Sequence, residues 1–130
     1  MQNYLDLLAR ILISILFLIN GYFKIINYEG TIEWMESYNI ASFFLIPAII
    51  LEITAPILII VGYKTKIAAT LLFLFCLSTA FIFHLDFSDN MQITSFLKNI
   101  ALSGGFLLII INGAKKFSFD NMKKQSKRKK

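Results

Sequence analysis

Four apolar segments, each close to the length of a membrane-spanning helix, constrain this chain more than any other feature of its sequence. They cover residues 7–26, 43–62, 67–85 and 95–112. A helix crosses the hydrocarbon core of a bilayer with about 20 apolar residues. Because 57% of the 130 residues are hydrophobic and only 16% are charged, too little polar surface remains for a soluble globule. The sequence predicts an all-α, four-helix transmembrane bundle over residues 1–114 and a tail over 115–130.

The positions of the Lys and Arg residues predict the orientation of this bundle. The turn between the second and third segments carries Lys64 and Lys66, and eight of the 13 basic residues lie in the last sixteen positions. The other two connections, 27–42 and 86–94, contain no Lys or Arg and hold five acidic residues. Because cytoplasmic loops of membrane proteins are rich in Lys and Arg, we expect both termini in the cytoplasm and both acidic loops outside.

Two of the segments that lie outside the predicted membrane-spanning helices, the tail and the first outer loop, carry distinct residue patterns. The basic tail 115–130 is expected to bind anionic lipid, which contributes about 1 kcal/mol per basic residue near the surface. No nucleic-acid partner is expected, because the basic cluster has no folded domain behind it. In the first outer loop, Ile32, Met35 and Tyr38 recur at helical spacing beside Trp34. This pattern fits either a short amphipathic helix at the outer interface or an ordinary loop with interfacial aromatic residues.

Glu52 is the only charged residue in the run 40–63. A charge at the centre of a membrane helix costs roughly 2.5–3.5 kcal/mol on insertion scales, so such a residue is normally paired, protonated or functional. The alternating direction of the helices places five more polar residues in the same, outer half of the bundle. The predicted cluster is Glu52, His84, Lys98, Asn99, Lys24 and Asn20. We expect Lys98 to be the cation for Glu52 or for an anionic ligand, and Lys24 either to join the cluster or to extend to the headgroups.

Other residues predict the packing of the helices and limit the chemistry. Pro56 cannot donate to the carbonyl of Glu52, so a kink and a free carbonyl are expected there. Ala101 and Gly105, with Gly104 beside them, form a face that a neighbouring helix can approach closely. The chain has one histidine and one cysteine. It therefore offers no bis-histidine haem site, redox thiol pair or metal-ligand set, no flavin motif is visible, and no catalytic residue is predicted.

Several pieces of the sequence, taken in order, resemble one family. They are Arg10 with NGYFK at 20–24, Glu52 with LIIVGYKTKIAA at 58–69, Phe83-His84, and FLKNIALSGG at 96–105. The ordered set resembles the DoxX-like family of small four-helix membrane proteins over almost the whole chain. Two positions depart from the family pattern. Ala55-Pro56 stands where a Gly-Gly pair often follows the glutamate, and Lys66 stands where an arginine is frequent.

The resemblance implies a bundle in the cytoplasmic (inner) membrane and an association with quinol oxidase, thiosulfate–quinone oxidoreductase or thiol and oxidative-stress systems. The first functional hypothesis is an accessory subunit of a membrane redox system. It would bind a quinone or other small molecule in the polar cluster, with electrons supplied by a partner or by the ligand. The second is a non-enzymatic structural or assembly protein, and a homo-oligomer fits either. The third and least favoured is a small-solute transporter, since four helices form a narrow pore and no inverted repeat is visible.

Overall fold

A computed structural model describes residues 1–128 of the chain, and their side chains as far as residue 126. This part forms six α-helices and contains no strand. They are α1 (Gln2–Ile26), α2 (Tyr28–Ser37), α3 (Leu45–Val61), α4 (Thr65–Phe83), α5 (Asn90–Asn112) and α6 (Phe119–Arg128). A short 3-10 turn, Ser42–Phe44, leads into α3. Within these residues α1, α3 together with the 3-10 turn before it, α4 and α5 are long and apolar enough to cross a membrane. The predicted all-α fold with four membrane-spanning helices is confirmed.

Two helices start five residues earlier than the predicted segments. Helix α1 begins at Gln2 rather than at residue 7, and α5 begins at Asn90 rather than at residue 95. In both cases the first turn is polar, so hydropathy does not mark it. At α5 the side chain of Asp89 accepts a hydrogen bond of 2.9 Å from the amide of Met91. This N-cap satisfies a free amide and sets the start of the helix.

The four long helices pack in the order α1, α3, α4 and α5, while α1 and α5 touch at few points. The core between them is apolar and includes Phe17, Ile59, Leu72 and Phe106. The rings of Phe17 and Phe106 lie 5.4 Å apart and join the two outermost helices of the row. The bundle therefore has a filled centre and one seam, between α1 and α5, that is only partly closed.

The first loop contains α2, so the helical alternative for residues 27–42 is confirmed and the plain-loop alternative is wrong. Met35 is buried. The Trp34 ring stacks on Phe83 at 4.3 Å between centroids, and Tyr38 meets the same ring edge-on at 5.2 Å. These contacts hold α2 across the end of α4. The location of α2 at the outer membrane interface stays a prediction.

The tail was expected only as a basic segment, and here the structure differs from that expectation. It forms α6, which docks on the turn between α3 and α4. The Asp120 carboxylate accepts bonds of 2.9 Å from the amides of Lys64 and Thr65 and one of 2.7 Å from the Thr65 hydroxyl. The Asp120 amide donates to Gly62 at 2.8 Å. An acidic residue in the tail therefore caps α4 from outside that helix. Residues 129–130 of the predicted tail lie outside the described part.

Candidate functional site

A cavity of about 490 Å³ lies at the end of the bundle that α2 covers. Side chains from α1, α2, α3, α4 and α5 all contribute to its wall, which is mainly aliphatic and aromatic. The structure places all six residues of the predicted polar cluster on this wall: Asn20, Lys24, Glu52, His84, Lys98 and Asn99. An apolar wall with a few polar groups is the usual composition of a small-molecule site.

Glu52 and Lys24 form an ion pair at this cavity. Lys24 Nζ lies 2.6 Å from Glu52 Oε2, and the Glu52 side chain is 2% exposed while that of Lys24 is 24% exposed. Gly21 makes this pairing possible, because a Cβ atom there would meet Glu52 Cβ at 3.3 Å and Ile53 Cδ1 at 2.8 Å. The lack of a side chain lets α1 approach α3 closely enough for the lysine to reach the carboxylate.

The prediction that Lys98 is the cation for Glu52 is therefore wrong, as is the alternative that Lys24 extends to the headgroups. Depth along the helices placed both lysines near the glutamate, but the rotation of each helix decides which ammonium faces it. Lys98 is exposed at the cavity and has no hydrogen-bond or ion-pair partner among the side chains that the structure describes. Its neighbour Asn99 donates a long bond of 3.5 Å to the Thr79 hydroxyl.

His84 has a partner that was not predicted. Its Nδ1 lies 2.6 Å from the side-chain oxygen of Gln92 in the first turn of α5. Because an amide oxygen can only accept, Nδ1 is the donor in this bond, and in the tautomer with the proton on Nδ1 the other nitrogen, Nε2, is an acceptor. Gln92 falls within the segment 86–94 that was treated as loop. The helix-capping pattern Asp89-Asn90 is the sequence signal that could have placed it on a helix.

The four residues predicted for kinking and packing have different environments. Pro56 is buried inside α3, which continues through it to Val61; the kink and the free carbonyl stay predictions. A Cβ atom at Gly105 would meet Ile13 Cδ1 at 2.9 Å, so α1 approaches closely there. Ala101 and Gly104 are exposed, and the open space beside Gly104 contradicts its predicted packing role. The reason is that α5 turns its other side, with Ser103 and Phe106, toward the core.

Arg10 forms a second polar centre at the opposite end of the bundle, which we call the Arg10 end. Its side chain is 1% exposed. The guanidinium donates to Asp6 at 3.0 Å, to the carbonyls of Ile59 and Ile60 at 2.9 and 2.8 Å, and to the carbonyl of Phe117 at 2.7 Å. It thus joins α1, the end of α3 and the segment before α6 with charge-assisted bonds. These bonds give Arg10 a structural role, because they hold the three segments together.

In the part of the chain described, no three His, Cys, Asp or Glu side chains come together as a metal site would require. The polar groups of the cavity are instead one ion pair, one free ammonium, amides, hydroxyls and an imidazole. Such groups can orient the oxygen or nitrogen atoms of an organic head group, while the apolar wall takes the rest of the molecule.

Four apolar helices around one polar cavity define a small multi-pass membrane protein, and the comparisons with known proteins identify its family. Residues 5–85 match the DoxX family, so the chain belongs to that family. It is 40% identical over 116 residues to the inner membrane protein YqjF of Escherichia coli (strain K12), covering 89% of each chain. It is 34% identical over 121 residues to the inner membrane protein YphA of the same organism, covering 88% of this chain and 86% of that one. No solved structure matches. The expected inner-membrane location is confirmed.

Proposed function

We propose that the protein is an accessory subunit of a membrane redox system and binds a quinone or a similar lipophilic molecule in the cavity described above. The observation that supports this proposal is the combination of a 490 Å³ apolar cavity with convergent polar side chains from four helices. A quinone has the matching chemistry, since it joins a polar ring with two oxygens to an apolar tail. Electrons would come from a partner protein or from the ligand itself.

The polar residues have distinct proposed roles. Lys98 has no protein partner among the described side chains and donates to a ligand oxygen, with Asn99 and Asn20 as further amide groups on the same wall. Nε2 of His84 accepts a proton or a hydrogen bond from the ligand, because Gln92 holds the proton on Nδ1. Glu52 accepts and releases protons, and the ion pair with Lys24 holds its side chain in place.

Tryptophan fluorescence provides the test, because Trp34 is the only tryptophan of the chain and lies on the cavity wall. A short-chain quinone titrated into the purified protein should quench this fluorescence with saturation. Glu52→Gln should weaken binding about tenfold, the equivalent of about 1.4 kcal/mol. The matched control is Thr54→Val on the same helix, since Thr54 is exposed, donates only to Ile50 and does not line the cavity. Equal affinity in all three proteins would refute the proposed role of Glu52.

A non-enzymatic structural or assembly function is the second candidate, and the closed ion pair favours it. Lys24 and Glu52 satisfy each other at 2.6 Å, so the pair can fix the register of α1 against α3 without any ligand. In that case Lys24→Met and Glu52→Gln would lower stability, while added quinone would not raise the melting temperature of the wild-type protein. Deletion of the gene would then remove a membrane complex rather than a metabolite conversion.

The proposal includes an orientation with both termini in the cytoplasm. It places the cavity in the outer half of the membrane and α6 on the cytoplasmic surface, where exposed Lys123 and Lys124 can interact with anionic lipid. Cysteine accessibility in intact cells tests it: a cysteine introduced at Ser88 should react with an impermeant reagent, and one introduced at Ser126 should not. The reverse pattern would contradict the orientation.

A further inference from the structure

The partly closed seam between α1 and α5 contains a second groove, separate from the polar cavity. It has a volume of about 500 Å³ and lies at the Arg10 end. Its floor is formed by residues with small side chains or none and by aliphatic residues, including Ala9, Ile13, Gly105 and Ile109. Because α1 and α5 belong to the four membrane-length helices, a groove on the outer surface between them would be exposed to lipid.

The groove has a polar end and an apolar end. Gln2, Asn112 and Lys115 line one end, and Ile13 and Gly105 line the other. Lys115 is exposed, and its Nζ has only a long contact of 3.4 Å with the Gln2 oxygen. Its ammonium can therefore bind an anion. The acid nearby, Asp6, is already bonded by Arg10 and by the amide of Lys115, so it does not neutralise this end.

The length of the groove matches one leaflet of a membrane. From Gln2 to Ile13 the rise of α1 is about 16 Å, of which the apolar part between Leu5 and Ile13 takes about 12 Å, at 1.5 Å per residue. One leaflet contributes about 15 Å to a hydrocarbon core about 30 Å thick. A second copy of the protein packing along α1 and α5 would use the whole length of these helices, whereas the groove ends halfway. Its length, apolar floor and cationic end fit a single lipid.

We propose that this groove is a binding site for one anionic phospholipid. An acyl chain lies along the seam against Gly105 and Ile13, and the headgroup phosphate binds Lys115 with help from the amides of Gln2 and Asn112. Gly105 is required for lipid binding because a larger residue would fill the groove. The site is independent of the proposed redox function, since it shares no residue with the polar cavity.

Two substitutions with matched controls test the site. Gly105→Leu should block the groove, and a Cβ there meets only the flexible end of the Ile13 side chain. Gly104→Leu is the control, because nothing lies within 4 Å of a Cβ at that position. Lys115→Gln should weaken headgroup binding, and Lys116→Gln is its control on the next exposed residue. Melting temperatures would show that all four variants fold.

The measurement is the amount of phosphatidylglycerol and phosphatidylcholine retained per protein in native mass spectra from mixed micelles containing both lipids. We expect the wild-type protein to retain one phosphatidylglycerol in preference to phosphatidylcholine. Gly105→Leu and Lys115→Gln should lower that retention at least fivefold, and the controls should not. Equal losses in variant and control, equal retention of both lipids, or a Gly105→Leu effect confined to the monomer–dimer ratio would each overturn the proposal.

Discussion

Replacing Lys24 by methionine tests the ion pair at the cavity most directly. Methionine keeps much of the apolar stem of lysine and removes the ammonium. The carboxylate of Glu52, which is 2% exposed, then loses the partner that lies 2.6 Å away. Glu52→Gln removes the charge of the other partner and keeps a polar side chain of similar shape. The cation it leaves is 24% exposed and can extend toward the headgroups.

The expected magnitudes follow from these exposures. Removing one partner of a buried ion pair costs about 3–5 kcal/mol in soluble proteins. Polar contacts between membrane helices are weaker, about 0.6 kcal/mol on average and at most about 1.7. Because Glu52 is almost completely buried, we expect Lys24→Met to lower the free energy of unfolding by about 2–3 kcal/mol, between these limits. Glu52→Gln should cost about 1 kcal/mol, and the apolar double variant Lys24→Met/Glu52→Leu about 1 kcal/mol or less.

Equilibrium unfolding in mixed micelles of increasing denaturing detergent, followed by circular dichroism, would measure these differences. Lys98→Met is the matched control, because it makes the same substitution at an exposed lysine on the same cavity. It should change the free energy of unfolding by less than about 0.5 kcal/mol. The reasoning is refuted if Lys98→Met costs as much as Lys24→Met, or if the double variant costs the sum of the two single changes.

Three further predictions concern the Arg10 end. Arg10→Lys should lower the free energy of unfolding by about 3 kcal/mol, because an ammonium cannot serve three carbonyls and a carboxylate together; thermal unfolding in detergent measures it. Gly62→Ala should release α6 and raise its protease sensitivity, since φ is +71° and a Cβ would collide with Ser118. Burial alone would raise the pKa of Asp120, but hydrogen bonds from Thr65 and Lys64 outweigh it, and the folded-state pKa lies below 3.8. Its contribution to docking is therefore complete above 3.8 and is lost as the pH falls through the lower folded-state pKa. Protease sensitivity of α6 should rise there in the wild-type protein and stay independent of pH in Asp120→Asn.

The membrane-spanning helices could be predicted because lipid imposes a single rule on sequence. A spanning segment must be apolar over about 20 residues, and hydropathy records that directly. The starts of α1 and α5 were missed because polar first turns carry no such signal. Helix α6 was missed because its stability comes from a tertiary contact. Its sequence is polar and basic, and it is the bonds between Asp120 and the first turn of α4 that dock it.

The cavity residues could be predicted from depth alone, since the alternating helix direction places polar residues of different helices at one level. The pairing inside the cavity could not be predicted from depth. Whether Lys24 or Lys98 reaches Glu52 depends on how each helix is rotated and how closely the axes approach. The close approach of α1 and α3 is set by Gly21, which carries no charge and gives no hydropathy signal. In the same way, the bond between His84 and Gln92 depends on where α5 starts, and hydropathy does not mark that start.

The polar contacts are distributed unequally between the helices, and this distribution bears on how the cavity could admit a ligand. Lipid provides no hydrophobic force between helices, so packing and polar bonds hold them together. Helices α1 and α3 are joined at both ends, by Lys24–Glu52 and by Arg10. Helices α4 and α5 are joined at the cavity end through His84–Gln92. Between the two pairs, at this end, the contacts of α2 with α4 are aromatic, chiefly Trp34 on Phe83. If the cavity binds a ligand as proposed, the ligand has to separate only apolar surfaces to enter at this end. The ion-paired helices α1 and α3 and the hydrogen-bonded helices α4 and α5 would then stay together as it binds.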